Sequence, residues 1–196
     1  MKTQTYILAF LSALTFSMCN NSKKEDAAVS EKATSTEKEH HHALTAEDSL
    51  KLITHQIEVK GEVEFPLELN ADSLRKMKFE TMNNPIAVSE NGRLRKDNRI
   101  SKGVLLKDIL EKAKIKQNGH KDRDFYIVAR ASDDYKAIFS WAEIFNNPTG
   151  DSTYVLFEEN GKPMKNGEIV LICKNDINKG PRHVYWLKSI EVYRVK

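Results

Sequence analysis

Apolar residues fall along this chain in three regimes. From Tyr6 to Met18 they run almost unbroken after one positive charge at Lys2. That run falls short of the roughly 20 residues a membrane helix needs and matches the core of a signal peptide, expected over residues 1–18. From Asn20 to about Asp48 large apolar residues nearly vanish, and Ser, Thr, Lys and Glu dominate. Such a stretch has no face to bury, so residues 19–48 are expected to form a flexible tether. From residue 49 onward apolar positions return with clear periods, and a folded domain is expected over 49–196.

Within that domain the periods alternate between two and three to four. Ile57, Val59, Val63 and Phe65 alternate with Glu58, Lys60, Glu62 and Glu64, predicting a strand with a bulge at Gly61. Residues 71–79 open on an Asp72-Ser73 cap signal and predict one short helix. Residues 82–94 predict a strand with a turn at Asn91-Gly92, the strongest hairpin signal in the chain. Leu105, Leu106, Ile109, Leu110 and Ala113 follow Gly103 at helical spacing. Residues 124–132 and 136–140 read as strands around an Asp133-Asp134-Tyr135 turn, with a brief helix from Trp141 to Phe145. Residues 153–164 predict a strand entering an Asn160-Gly161 turn, and 168–174 and 184–195 predict two more strands. Strands outnumber the short helices, so the expected class is α+β with mixed β-sheets, and no internal repeat is visible.

Composition sharpens this picture in two places. Charged residues make up 30% of the chain and the net charge is +3, with Lys and Arg scattered among Asp and Glu. That balance excludes a multi-span membrane protein and gives no reason to expect a nucleic-acid partner. The two cysteines are Cys19 and Cys173. Cys173 ends the apolar run of residues 169–173 and is expected to pack as a small buried hydrophobe. Cys19 follows Phe16-Ser17-Met18, which resembles the lipobox of bacterial lipoproteins; Ser17 fits the pattern, while Phe16 and Met18 depart from it. The resemblance implies lipidation of Cys19, a membrane anchor, and a place in the bacterial cell envelope facing the periplasm or the cell surface.

Motifs that carry chemistry by spacing alone are absent: there is no GxGxxG, P-loop, HExxH, CxxC or GxSxG. His40, His41 and His42 are adjacent, so they cannot all face one ion, and a solvated run is expected. His55, His120 and His183 stand far apart in sequence, and no metal ligands are assigned. Asp133 and Asp134 are expected to cap backbone N–H groups in a turn. The stretch Asn178-Lys179-Gly180-Pro181-Arg182-His183 joins two apolar strands and combines a tight turn with cationic side chains. Such a loop is either an ordinary exposed basic turn or an anion cradle in which Arg182 offers a planar fork.

Four segments in order resemble the sulfite oxidase family, whose domain binds molybdopterin. They are residues 102–113 (KGVLLKDILEKA), 131–144 (ASDDYKAIFSWAEI), 155–172 (VLFEENGKPMKNGEIVLI) and 180–192 (GPRHVYWLKSIEV). The resemblance spans about residues 57–195 and implies a sulfite-oxidase-type molybdopterin-binding fold. It places Lys179, Arg182 and His183 at the basic loop near the cofactor phosphate. The family holds molybdenum through a cysteine thiolate upstream of the Gly-Val helix, soft sulfur suiting that metal. Here that region has no cysteine, and Ser89 lies near the expected position. Three readings follow: a non-catalytic module binding a pterin or another anionic small molecule, an active molybdopterin oxidoreductase with Ser89 as an atypical ligand, or an envelope scaffold that binds a protein partner.

Overall fold

The structure, a computed structural model, describes residues 46–83, 87–88, 94–95, 99–165, 167–177 and 180–196. Cys19, the histidine run, Ser89, the Asn91-Gly92 turn and Lys179 lie outside the described residues. In chain order the elements are α1 (Ala46–Lys51), β1 (Gln56–Gly61), β2 (Leu67–Asn70), α2 (Ala71–Arg75), β3 (Glu80–Asn83), β4 (Ala87–Val88), β5 (Leu94–Arg95) and β6 (Ile100–Leu105). Then come α3 (Leu106–Ala113), β7 (Phe125–Ala131), β8 (Lys136–Ser140), α4 (Trp141–Phe145), a 3₁₀ turn at Gly150–Ser152, β9 (Thr153–Glu159), β10 (Val170–Cys173) and β11 (Leu187–Arg194).

Two sheets organise the domain. The first has the order β2-β1-β11-β7-β8 and is mixed: β1 and β11 run parallel and the other neighbours antiparallel. The second, β10-β9-β6-β3, is antiparallel throughout, and β4 with β5 forms a separate two-stranded ribbon. Inward residues of both sheets meet in one core: Ile57, Val59, Ile127, Phe139 and Ile190 from the first, Val104, Val155, Phe157 and Leu171 from the second. Helix α3 completes it with Leu106, Ile109, Leu110 and Ala113, the one stripe its spacing provides. Each of the larger side chains among these contributes about 1.5–3 kcal/mol by leaving water. A smaller cluster of Met82, Leu105, Tyr154, Leu156, Val170 and Ile172 packs on the opposite face of the second sheet.

Several boundaries differ from the periodicity for local reasons. Strand β1 stops at Gly61 (φ +95), where a Cβ would stand 2.1 Å from the Val192 carbonyl oxygen. Val63 is still buried through a bridge to Ile115, but Phe65 is 56% exposed. Leu105 belongs to β6 and to the smaller cluster, not to the α3 stripe. Gly103 lets β6 approach β9, since a Cβ there would lie 2.6 Å from Leu156 Cδ2. The cap of α2 is Asn70, whose Oδ1 accepts from the Ser73 amide at 2.8 Å, one position before the segment that carried the signal. Helix α1 begins at Ala46, inside the stretch expected to be tether, with Glu47 and Asp48 at its N-terminal turn.

Candidate functional site

Two loops at one end of the first sheet build the candidate site. One is the Ser132–Tyr135 turn between β7 and β8; the other runs from β10 to β11 and carries Gly180–Trp186. In the first loop, Asp133 Oδ1 accepts the Tyr135 amide at 3.0 Å, so this carboxylate caps its own turn. Asp134 adopts φ +69 and pairs outward with Arg130 at 2.9 Å and Lys136 at 2.7 Å. The Tyr135 hydroxyl donates to the Pro181 carbonyl at 2.8 Å and ties the two loops together. The Trp186 carbonyl accepts from the Ser132 amide at 3.0 Å and from its hydroxyl at 3.2 Å, a second tie.

Between the loops lies a cleft of about 240 Å³ lined by Asp133, Tyr135, Gly180, His183, Tyr185 and Trp186. Its rings are close: His183 and Tyr185 have centroids 4.2 Å apart, and Tyr185 and Trp186 meet edge-on at 6.1 Å. Trp186 sits at φ +47, an uncommon conformation for a bulky residue. Asp134 and Trp186, two of the four non-glycine positive-φ residues among the described residues, thus flank the same cleft, and strain of this kind gathers at ligand sites. Burial and the positive charge of Arg99 push the His183 imidazole down to about 4, so it is neutral at neutral pH. Burial pushes the Tyr185 phenol up. Arg99 itself pairs with Glu159 at 2.8 Å.

Arg182 points elsewhere. Its Nε reaches Asp176 Oδ1 and Oδ2 at 3.1 and 2.9 Å, and one terminal nitrogen also bonds Asp176. The other terminal nitrogen donates to Glu143 Oε1 at 2.8 Å, and the guanidinium lies 4.9 Å from the Phe139 ring centroid. It lines a different, open cleft of about 510 Å³ with Thr149, Asn175, Asp176, Ile177 and Pro181. Arg182 and His183, adjacent in sequence and grouped in one basic loop, therefore face separate clefts. The aromatic members Tyr135, Tyr185 and Trp186 were not singled out by sequence; the available signal was their bunching beside Asp133 and Gly180.

Cys173 is 5% exposed, donates to Asn175 Oδ1 at 3.0 Å and accepts from the Thr153 hydroxyl at 3.5 Å; burial pushes its thiol up. It packs as the small hydrophobe its sequence context predicts. Between Cys19 and Cys173 the sequence has no cysteine, and among the described residues no sulfur lines the ring-walled cleft. Among the described residues no group of three or more His, Cys, Asp or Glu could hold a metal ion. This donor set does not fit molybdenum bound through a thiolate, whereas the rings and Asp133 suit a flat organic ring.

Two packed sheets, short helices and a loop-built cleft define a cofactor-type α+β domain. The chain belongs to the oxidoreductase molybdopterin binding domain family, whose sequence model matches residues 42–195. Among solved structures it is similar to the sulfane dehydrogenase SoxCD from Paracoccus pantotrophus, at 18% identity and a TM-score of 0.50. That likeness shows the molybdopterin-binding, sulfite-oxidase-like fold; it covers 77% of this chain and only 39% of the SoxCD chain. A comparison with curated proteins finds no match.

Proposed function

We propose that this protein is a lipid-anchored envelope protein whose molybdopterin-binding-type domain serves as a non-catalytic module. It holds a small flat ligand, of which a pterin is the model, in the cleft between Asp133 and Trp186. The observation that carries this reading is the composition of that cleft among the described residues: four rings, one carboxylate, one glycine and no sulfur. Ring walls contribute through stacking, while a single polar group fixes orientation. The anchor rests on the apolar run ending at Cys19, and acyl chains on that thiol would hold the domain at a membrane.

Expression of the full chain in a molybdate-replete bacterial host tests the module reading. Elemental analysis is expected to find molybdenum far below one atom per chain. One molybdenum per chain with a bound pterin would overturn it and favour an oxidoreductase. Native mass spectrometry that finds no retained small molecule, together with no ring binding in titration, would favour the scaffold reading instead. For the anchor, Cys19→Ser is expected to move the protein from the membrane to the soluble fraction; unchanged membrane retention refutes it.

A further inference from the structure

We infer that the groove between α3 and α4 binds an uncharged saccharide, with the Phe145 ring as its platform. Two open clefts of about 370 and 410 Å³ lie along this seam, each the size of a small-molecule site, and Phe145 and Glu111 line both. Neither shares a lining residue with the ring-walled cleft, so this site stands apart from the module reading above. Helix α3 supplies one wall by its spacing. Leu106, Ile109, Leu110 and Ala113 take the core stripe, which turns Lys107, Glu111 and Lys114, four and three residues apart, along the groove.

The Phe145 ring is held from behind. It stacks on Trp141 with centroids 5.2 Å apart and planes at 30°, and the Arg123 guanidinium lies 4.8 Å from the Trp141 centroid. Trp141 and Phe145 both pack against the core, so little ordering is left to do on binding. The polar groups around the ring divide in two. Lys114 pairs with Glu64 at 2.7 Å and Lys107 with Asp151, so those four side chains shape the groove and cancel in charge. Among the described residues, Glu111 and the Asn146 side chain make no hydrogen bond, and Gln117 spends only its Nε2, on the Asp122 carbonyl at 2.6 Å. A pyranose complements that set, with a C–H face for the ring and a rim of hydroxyls that both donate and accept. The Glu111 charge opposes an anion, and an apolar molecule would strip water from the amides and the carboxylate without replacing its hydrogen bonds.

Two-dimensional NMR of the full chain in detergent tests the assignment. The probes are the neutral trisaccharides maltotriose, cellotriose, chitotriose and mannotriose, with trilysine as a cationic alternative. At least one sugar is expected to bind, weakly because the groove is open, and to shift resonances of α3 and α4 first. Glu111→Gln, at an exposed position that spares the fold, is expected to weaken that sugar about three- to tenfold. Phe145→Leu keeps apolar bulk but loses the flat face, and a loss of about two- to tenfold is expected. Should that variant unfold, Asn146→Ala at the exposed end of α4 replaces it, with a loss of about threefold. No binding by any of the four sugars overturns the inference, as does binding of trilysine alone. Sugar binding that shifts other regions, or that ignores both Glu111→Gln and Asn146→Ala, overturns it too. None of these outcomes touches the molybdenum and pterin analysis that decides the module reading.

Discussion

Gly167 offers a test of the cleft from behind its wall. It lies outside the cleft at φ +86, and a Cβ built there would stand 2.7 Å from Trp186 Cα and 2.9 Å from Trp186 N and Cδ1. Ordinary carbon contacts begin near 3.5 Å, so Gly167→Ala must displace the Trp186 backbone by about 1 Å. Gly119 supplies the control: its φ is also +86, but nothing lies within 4 Å of a Cβ there. Both substitutions force alanine into the left-handed region at about 1 kcal/mol, whereas only Gly167→Ala adds overpacking of about 1–3 kcal/mol. Expected losses are therefore about 1 kcal/mol for Gly119→Ala and about 3 kcal/mol for Gly167→Ala, or roughly 2–4 °C against 6–12 °C in Tm.

Urea unfolding gives the free energies, and fluorescence locates the disturbance. The chain has two tryptophans, Trp141 and Trp186. In a Trp141→Phe background the emission reports Trp186 alone, and it should shift in Gly167→Ala but not in Gly119→Ala. Pterin affinity at the cleft should fall with it, since the indole is one of the walls. Equal losses of stability for the two alanines, within about 0.5 kcal/mol, together with identical emission, would refute the packing of Gly167 on Trp186.

Other consequences are as specific. Arg182→Met removes a guanidinium shared by Asp176, whose side chain is 13% exposed, and by the more open Glu143. A loss of about 2–3 kcal/mol is expected, and about half that for Arg182→Lys, which keeps the charge but not the fork; denaturant midpoints decide. For pH, His183 is pushed from 6.5 down to about 4. The unfolded chain thus binds more protons between those values, so this stabilisation is complete above pH 6.5 and is lost as pH falls towards 4. The loss is up to about 3 kcal/mol and should be absent in His183→Gln. The Glu191 carboxyl is held near 2 by its hydrogen bonds from Arg130, against burial that pushes it up. Its contribution is present above pH 4.5 and disappears only between 4.5 and 2. A stability profile flat from pH 7 to 4 would rule out the His183 assignment.

What the sequence made legible was whatever depends on local periodicity. Phe125–Ala131 is an apolar run that becomes a central strand buried at most of its positions, α3 carries one apolar stripe, and Ser140 with Glu143 closes a reciprocal cap on α4; each is written within a few residues. The glycines were not legible in the same way. Gly61, Gly103 and Gly167 are required by Val192, Leu156 and Trp186, partners supplied by distant strands and loops. The cap of α2 was missed by two positions, Asn70 in place of Asp72, because Asn70 also ends a strand and the strand pattern masks the cap.

The site shows the same division more sharply. Counted along the chain, residues 178–183 form a basic loop, either an exposed basic turn or an anion cradle. Counted in space, Arg182 belongs to Asp176 six residues before it and to Glu143 thirty-nine residues before it. Burial pushes the Glu143 carboxyl up, but the Ser140 amide and hydroxyl and the Arg182 guanidinium together hold it below its ordinary value. Glu143 therefore stays charged through the neutral range, and Arg182 has no reason to leave its two carboxylate partners for a dilute anion in water. The residue that a sequence motif marks for cofactor phosphate becomes a strut that fixes one side of the Gly180–Trp186 loop. The other side of that loop turns His183, Tyr185 and Trp186 towards the separate ring-walled cleft.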